Sequence, residues 1–407
     1  MPHRRPQRSP DRYWPKSRSA SLLARGSALA VLLALTSCGG GGGGAPAAST
    51  GGGGGSGSGG GGTGNSCPGG PTSNSCTAAT ATAQNNSMCG TSNFSTAFYW
   101  EIGDQTGTLV SGQGNGTSVT ANTMLATASA SKWVYAAYVI QSKGGASNLS
   151  STNDVPYLNF TSGYTYLGNF PPTNASCLDK TLTVNDCLSG TPSTPDPSTQ
   201  GLFDYDSGHM EWHAANQMGL GADGIVKLAS DIQAGLATGN SAFPNLNFEY
   251  SNLLLAGGVY TNAADYAMFL QQILSGGLLI KTALSTDPVC TWPKTVSVPS
   301  TVQPCTTYAV SSGTGTPIYT ASSTAGHAEY WHYALGHWIE DDPTVGDGAF
   351  SSPGALGFYP WIDSTEKYYG IVAREDDSAE TNGSFEGYKS AECGRAIRKA
   401  WLTGVEQ

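Results

Sequence analysis

Apolar and polar positions along the chain follow two periods. Phe94 to Ile102 and Thr108 to Gln113 are strand-like runs separated by Gly103-Asp104-Gln105-Thr106-Gly107, a pattern that predicts a hairpin. A small-residue run from Ala126 then gives way to helical spacing through Trp133, Ala136, Ala137 and Ile140, which predicts a helix opening at Ser129. Residues about 144–330 carry short helical patterns broken by turn residues and read as a mostly helical subdomain. Tyr330 to Glu340, Gly348 to Ile362 and Lys367 to Glu375 predict three successive strands, with turns at Asp341-Asp342-Pro343 and Asp363-Ser364-Thr365. Tyr388 to Leu402 predicts a closing helix that packs through Ala391, Ala396, Ala400 and Trp401, with Arg395, Arg398 and Lys399 on its wet face.

Strands at both ends most simply pair into one antiparallel sheet, an α+β arrangement with the helical middle inserted beside it. The helix from Ser129 then lies at the junction of the two parts, where small-molecule clefts commonly form.

Composition changes this picture at the N-terminus. Seven basic residues between Arg4 and Arg25 precede an apolar run from Ala28 to Leu35 and then Thr36-Ser37-Cys38, which reads as an export signal over residues 1–38. Its small-residue site ending in cysteine resembles a bacterial lipobox, which implies cleavage before Cys38 and a lipid on that sulfur. The expected location is the bacterial cell envelope, lipid-anchored in a membrane. Gly39 after the cysteine points to the outer membrane, with the domain facing the periplasm or the surface. Residues 39–66 are almost all glycine with some Ala, Ser and Thr, a composition that makes a flexible tether. The folded domain is expected over 67–407. Beyond Cys38 there are 12 basic and 28 acidic residues, a formal balance near −16, which argues against a nucleic-acid partner. Eight cysteines remain there, an even number that favours disulfides in an exported chain. Cys177 with Cys187 and Cys290 with Cys305 each close a short loop and are expected to pair; the pairing of Cys67, Cys76, Cys89 and Cys393 stays open. No CxxC spacing supports a zinc site, His209 and His213 stand four apart but without a Glu in HExxH fashion, and no metal or cofactor is expected.

Candidate chemistry rests first on Ser129-Ala130-Ser131-Lys132. A serine hydroxyl needs a neighbouring base, and a lysine three residues on shares its helical face. A helix N-terminus adds partial positive charge beside a forming oxyanion. The spacing alone is common, and Ser364 to Lys367 repeats it in what reads as a turn. His209, His213, His327, His332 and His337 fit core or rim positions, and no GxSxG elbow is present.

In its surroundings, that motif resembles the penicillin-recognising serine hydrolases: class C β-lactamases, DD-peptidases, family VIII esterases and nylon-oligomer hydrolases. The likeness covers about residues 94–403. SxxK stands after an N-terminal hairpin, Leu158-Asn159-Phe160-Thr161-Ser162-Gly163-Tyr164 resembles the apolar-HTSGL segment with Asn159-Phe160 in place of Leu-His, and Ala256-Gly257-Gly258 to Asp265 resembles the Gly-Gly, Ser/Thr, Asp helix start. The resemblance implies a β-lactamase/transpeptidase-like fold. For the tyrosine motif, Tyr205 in Phe203-Asp204-Tyr205-Asp206-Ser207 matches the family's order, with Ser207 replacing an asparagine, while Tyr250-Ser251-Asn252 matches the letters but stands too near Gly257-Gly258. For the third motif, Ser352-Pro353-Gly354-Ala355 is expected on an inner strand, with Gly354 admitting substrate and the Ala355 N–H joining that of Ser129 as an oxyanion hole. Ser352 replaces a cation or histidine, which shifts weight from β-lactams toward esters and amides. Arg374 on the next strand is a candidate replacement for that charge. The implied activity is acyl transfer by Ser129, Lys132 and Tyr205 on a small-molecule or peptidoglycan-derived substrate, with the base left open between Lys132 and Tyr205. The alternative is a non-catalytic surface lipoprotein that keeps the fold and binds a cell-wall or protein partner.

Overall fold

Residues 67–165, 177–311, 316–377 and 385–407 are described by the computed structural model of the chain. The leader with Cys38 and the tether 39–66 lie outside the described residues. In chain order the strands are Phe98–Asp104 (β1), Gly107–Gly114 (β2), Leu125–Ala126 (β3), Glu249–Tyr250 (β4), Val259–Thr261 (β5), Val289–Cys290 (β6), His332–Tyr333 (β7), Trp338–Glu340 (β8), Ala349–Ser351 (β9), Tyr359–Ile362 (β10) and Tyr369–Ala373 (β11). The helices are Ser75–Asn85 (α1), Ser131–Ser142 (α2), Val155–Leu158 (α3), Val184–Cys187 (α4), Gly208–Asn216 (α5), Ile225–Leu236 (α6), Ala263–Ser275 (α7), Pro317–Thr324 (α8) and Glu386–Thr403 (α9).

β1 pairs antiparallel with both β2 and β11, so strands from the two ends of the chain close into one sheet as expected. The order is β2-β1-β11-β10-β9-β8-β7-β6, antiparallel throughout, and a small sheet β3-β5-β4 stands apart from it. This is the expected α+β arrangement of one antiparallel sheet flanked by helices. Side chains alternate along a strand, so Tyr369 and Val372 of β11 point to opposite faces. Tyr369 Oη accepts from Gln271 of α7 at 3.1 Å, while Val372 lies where a Cβ on Gly394 of α9 would meet it at 3.4 Å. Helices therefore cover both faces, and every residue of β10 and β11 is buried.

Two of the expected strands are each two. Tyr330 to Glu340 turns back on itself at Gly336, whose φ of +77° suits glycine, and becomes the β7–β8 hairpin. A Cβ on Gly336 would lie 2.4 Å from that of Ala136 in α2, so this turn also presses onto the helix that follows Ser129. Gly348 to Ile362 likewise splits into β9 and β10, which pair antiparallel and leave 352–358 as the connecting turn. Ser364 to Lys367 forms a turn held by Asp363, as its sequence suggested.

α2 has no wet face: Ser131 through Gln141 are all buried. Its amphipathic signal is correspondingly faint, because sheet, hairpin turn and α6 surround it. Both expected disulfides are present, joined by Cys67–Cys76 and Cys89–Cys393. The last of these ties the segment after α1 to α9.

Arg398 does not stand on a wet face. It is fully buried, with its guanidinium on Glu340 at 2.9 Å, on Asp347 at 2.6 Å and on the Tyr359 hydroxyl at 2.9 Å. The bonds its head group makes inside outweigh the cost of burying it. Substituting Arg398 by Ala leaves the buried Glu340 carboxylate without its cation, and a loss of roughly 3–5 kcal/mol is expected in urea unfolding.

Candidate active site

Ser129 sits in a 3-10 turn, Ala128–Ala130, and α2 begins two residues after it. Ala128 has φ +45°, a conformation a non-glycine residue adopts only when its surroundings impose it. Those surroundings are β5: the Thr127 amide and hydroxyl both donate to Val259 O, at 3.0 and 2.9 Å, and the Val259 amide donates to Ser131 Oγ at 3.0 Å. Ser129 is left partly exposed at the end of a helix whose body is buried.

Lys132, one turn on, is buried. Its Nζ donates to Ser129 Oγ at 3.0 Å and to Ala256 O at 2.8 Å, and lies 4.7 Å from the centroid of the Tyr205 ring. Burial pushes its pKa down; the carboxylates of Glu211 and of Asp206, the latter exposed, pull the other way without cancelling the shift.

Glu211 is a member of this cluster that the sequence did not reveal. It lies on α5, fully buried, and its Oε1 accepts from the Ala256 amide at 3.2 Å. The Ala256 peptide thus stands between the two charges, with its carbonyl on Lys132 and its N–H on Glu211. Oε2 has no hydrogen-bond partner among the described residues. Burial raises the Glu211 pKa, so carboxyl and amine are each displaced toward their neutral forms. No periodicity marks Glu211, because Gly208 to Glu211, His213 and Ala214 are all buried and α5 shows no polar stripe.

Tyr205 stands among Phe160, Tyr333 and Trp338, with ring centroids 5.3, 5.6 and 5.2 Å away. Its hydroxyl is buried and makes no bond of normal geometry. Burial pushes the phenol up to about 12, even with Ser129 and Trp338 side chains near enough to favour the phenolate. Tyr250 is buried near Glu211 and Tyr135, and among the described residues its hydroxyl has no hydrogen-bond partner. The Ser207 side chain makes no capping bond at the start of α5, and no described hydrogen bond brings it to the Ser129–Lys132 pair.

Phe160, like Ala128, has a positive φ, +62°. It stacks on His209 at 5.0 Å, and His209 Nε2 donates to Asp204 O at 2.9 Å, which leaves Nδ1 to accept from Ser162 Oγ at 2.7 Å. Burial holds the His209 pKa down at about 3, so the ring is a neutral strut between the two segments. His213 is another strut, with Nδ1 2.7 Å from the Tyr135 hydroxyl and Nε2 3.0 Å from Asp154.

The third expected motif lies in the β9–β10 turn, not on a strand, and reaches the turn that carries Ser129. Ser352 Oγ donates to Ser129 O at 3.1 Å, and a Cβ on Gly354 would fall 2.1 Å from Thr127 O, so only glycine fits there. Ala355 O accepts from the Glu386 amide at 3.1 Å, and the Ala355 N–H makes no hydrogen bond among the described residues. Arg374 is not available to a substrate. It is fully buried, with Nη2 2.8 Å from Glu386 and Nε 2.9 Å from Ser390 Oγ, because α9 packs its own acid and hydroxyl against the strand end.

No family model matches the chain, and no curated protein does. Solved structures similar to it include a Bacteroides dorei protein provisionally named a β-lactamase, at 23% identity over 75% of this chain and 93% of that one, with a TM-score of 0.47. A D-stereospecific amidohydrolase from Streptomyces sp. aligns at 13% identity over 76% of this chain and 94% of that one, TM-score 0.47. An octameric penicillin-binding protein homologue from Pyrococcus abyssi aligns at 12% identity over 76% and 74%, TM-score 0.46. The chain is similar to these proteins at TM-scores below 0.5, and its chemistry is argued from its own side chains.

Proposed function

We propose that the chain is an exported serine hydrolase that acts through a Ser129–Lys132–Tyr205 acyl-enzyme. The observation that carries the reading is the buried amine 3.0 Å from a partly exposed serine hydroxyl at a helix start. Lys132, its pKa lowered by burial, is the base. The Ala256 carbonyl takes one of its hydrogens, so in the neutral amine the lone pair is free to accept the Ser129 proton. Tyr205, with its phenol held up at about 12, stays protonated and acts as a relay: it passes a proton to the leaving group as it regains one from the Lys132 ammonium, so the Ser129 proton ends on the leaving group. The Ser129 and Ala355 N–H groups stabilise the tetrahedral oxyanion. Water then clears the acyl group with the same proton carriers.

Neutral esters and amides fit the site better than substrates anchored by a carboxylate. Ser352 carries no charge, and Arg374 is sealed behind Glu386. A lipid on Cys38 and the glycine tether would hold the domain at the cell envelope, within reach of small-molecule or peptidoglycan-derived substrates.

A fluorophosphonate is expected to add once to the protein at Ser129 and not at all to Ser129→Ala; equal labelling of the variant removes the nucleophile. Tyr205→Phe is expected to lower turnover of a short-chain nitrophenyl ester by about 10²–10⁴-fold. That ester is expected to turn over faster than a chromogenic cephalosporin, and the reverse ranking overturns the substrate reading. The labelling rate is expected to rise with pH as Lys132 loses its proton. Glu211→Gln removes the carboxylate that pulls the lysine pKa up, so its acid limb is expected at lower pH, measured as labelling rate against pH.

A further inference from the structure

At the β6 edge of the large sheet, the Cys290–Cys305 disulfide sits against a histidine. β6 pairs with β7 so that Cys290 stands opposite His332, whose Nε2 lies 3.5 Å from Cys290 Sγ. On the other side of the ring, Nδ1 is 2.7 Å from Asp341 Oδ2, off the line of an ideal N–H bond. In the oxidised state the disulfide sulfur can only accept, so Nε2–H faces it; on reduction Asp341 is placed to take the ring proton on Nδ1 and free Nε2 as a ligand. The ligating atoms of Cys290, Cys305 and His332 all lie within 4.8 Å of one another.

We propose that this cluster is a thiol-gated metal site: a disulfide when oxidised and, when reduced, a site of two thiolates and one imidazole for a thiophilic divalent cation such as Zn²⁺. Tetrahedral zinc with Zn–S of about 2.3 Å and Zn–N of about 2.0–2.1 Å places sulfur and nitrogen about 3.6 Å apart. Cys290 and His332 already meet that spacing. Cys305 alone must swing away from its partner sulfur, and it lies on a loop, partly exposed, where it can both move and admit a reductant. Asp341 is the outer carboxylate that a metal-bound imidazole commonly uses.

The reduction balances with a dithiol as reductant. One of its thiolates attacks the accessible Cys305 sulfur and Cys290 departs as thiolate beside His332. The second reductant thiol then closes the reductant's own disulfide and releases Cys305. Two electrons and two protons pass to the protein, and a divalent cation displaces the two thiol protons when it binds.

The state of the pair reaches Tyr205 through backbone bonds, a consequence that rests on the function proposed above. The Cys290 amide donates to Thr307 O, the Phe203 amide donates to Tyr308 O and the Val310 amide donates to Phe203 O, each at 3.0 Å. The segment just after Cys305 therefore bonds both to Cys290 and to the chain two residues before Tyr205.

The test treats the full chain with a dithiol under a chelator, without denaturant, and maps the alkylated cysteines. Cys290 and Cys305 are expected to open while the buried Cys89 and Cys393 stay joined. Reduced protein is then expected to take one Zn²⁺ per chain from a chromophoric chelator. Asp341→Asn is expected to weaken that uptake about 10–100-fold, and His332→Gln at least as much, with unchanged circular dichroism before reduction. Absence of zinc uptake by the reduced protein, or equal uptake by His332→Gln, overturns the site. Fluorophosphonate labelling of the oxidised protein reads the hydrolase separately, so either reading can fail alone.

Discussion

The burial of one amine governs the site. Lys132 sits on a helix with no wet face, and water is replaced around Nζ by a serine hydroxyl, a backbone carbonyl and an aromatic ring. A charged ammonium is poorly solvated by so few partners, and that deficit pulls its pKa down from the usual lysine value. Glu211 limits the shift, since a buried carboxylate favours the ammonium. Because each charge acts directly on the other, the two form one titrating unit, and neither has a private protonation state.

Holding a hydroxyl beside that amine requires backbone that ordinary helices do not offer. Ala128 and Phe160 both adopt positive φ on segments that converge on Lys132: Ala128 precedes the nucleophile, and the Phe160 ring lies 5.8 Å from Nζ. Each is fixed from outside, Ala128 by the Thr127–Val259 bonds and Phe160 by its stack on His209. Strain of this kind persists only where neighbours over-determine it. Gly336 and Gly354 close the cage from the sheet side, since a Cβ at either would strike α2 or the turn before it. Histidines serve here as neutral struts, which explains why several surround the site without making a Ser-His triad.

Much of this was legible in the sequence, for reasons that also explain the rest. The end-to-end sheet followed from strands of period two at both termini, and the two short disulfides followed from loop length. Ser129 and Lys132 were readable because their spacing is local. Tyr205 needed the order of neighbouring motifs, because its contact with Lys132 is made in space. Glu211 and the Ala256 peptide left no trace, since a buried helix has no polar stripe against which an acid stands out. The split of Tyr330 to Glu340 was hidden by its dense aromatics, which mask the glycine that turns the chain. Arg398 was misplaced because its partners Glu340 and Asp347 come from distant strands and turns, and helical spacing alone cannot distinguish an outward charge from one that finds acids inside.

The departures from the resembled motifs form a consistent set when read as charge. Ser352 supplies a hydroxyl to the Ser129 carbonyl where a cation was expected. Arg374, the nearest candidate for the missing cation, is spent on Glu386 and Ser390 in the core. Glu211 and Asp206 both act on the Lys132 amine, and burial raises the pKa of each. Among the described residues, then, neither expected source of positive charge faces Ser129, while Ser129, Lys132 and the Tyr205 ring stay close together.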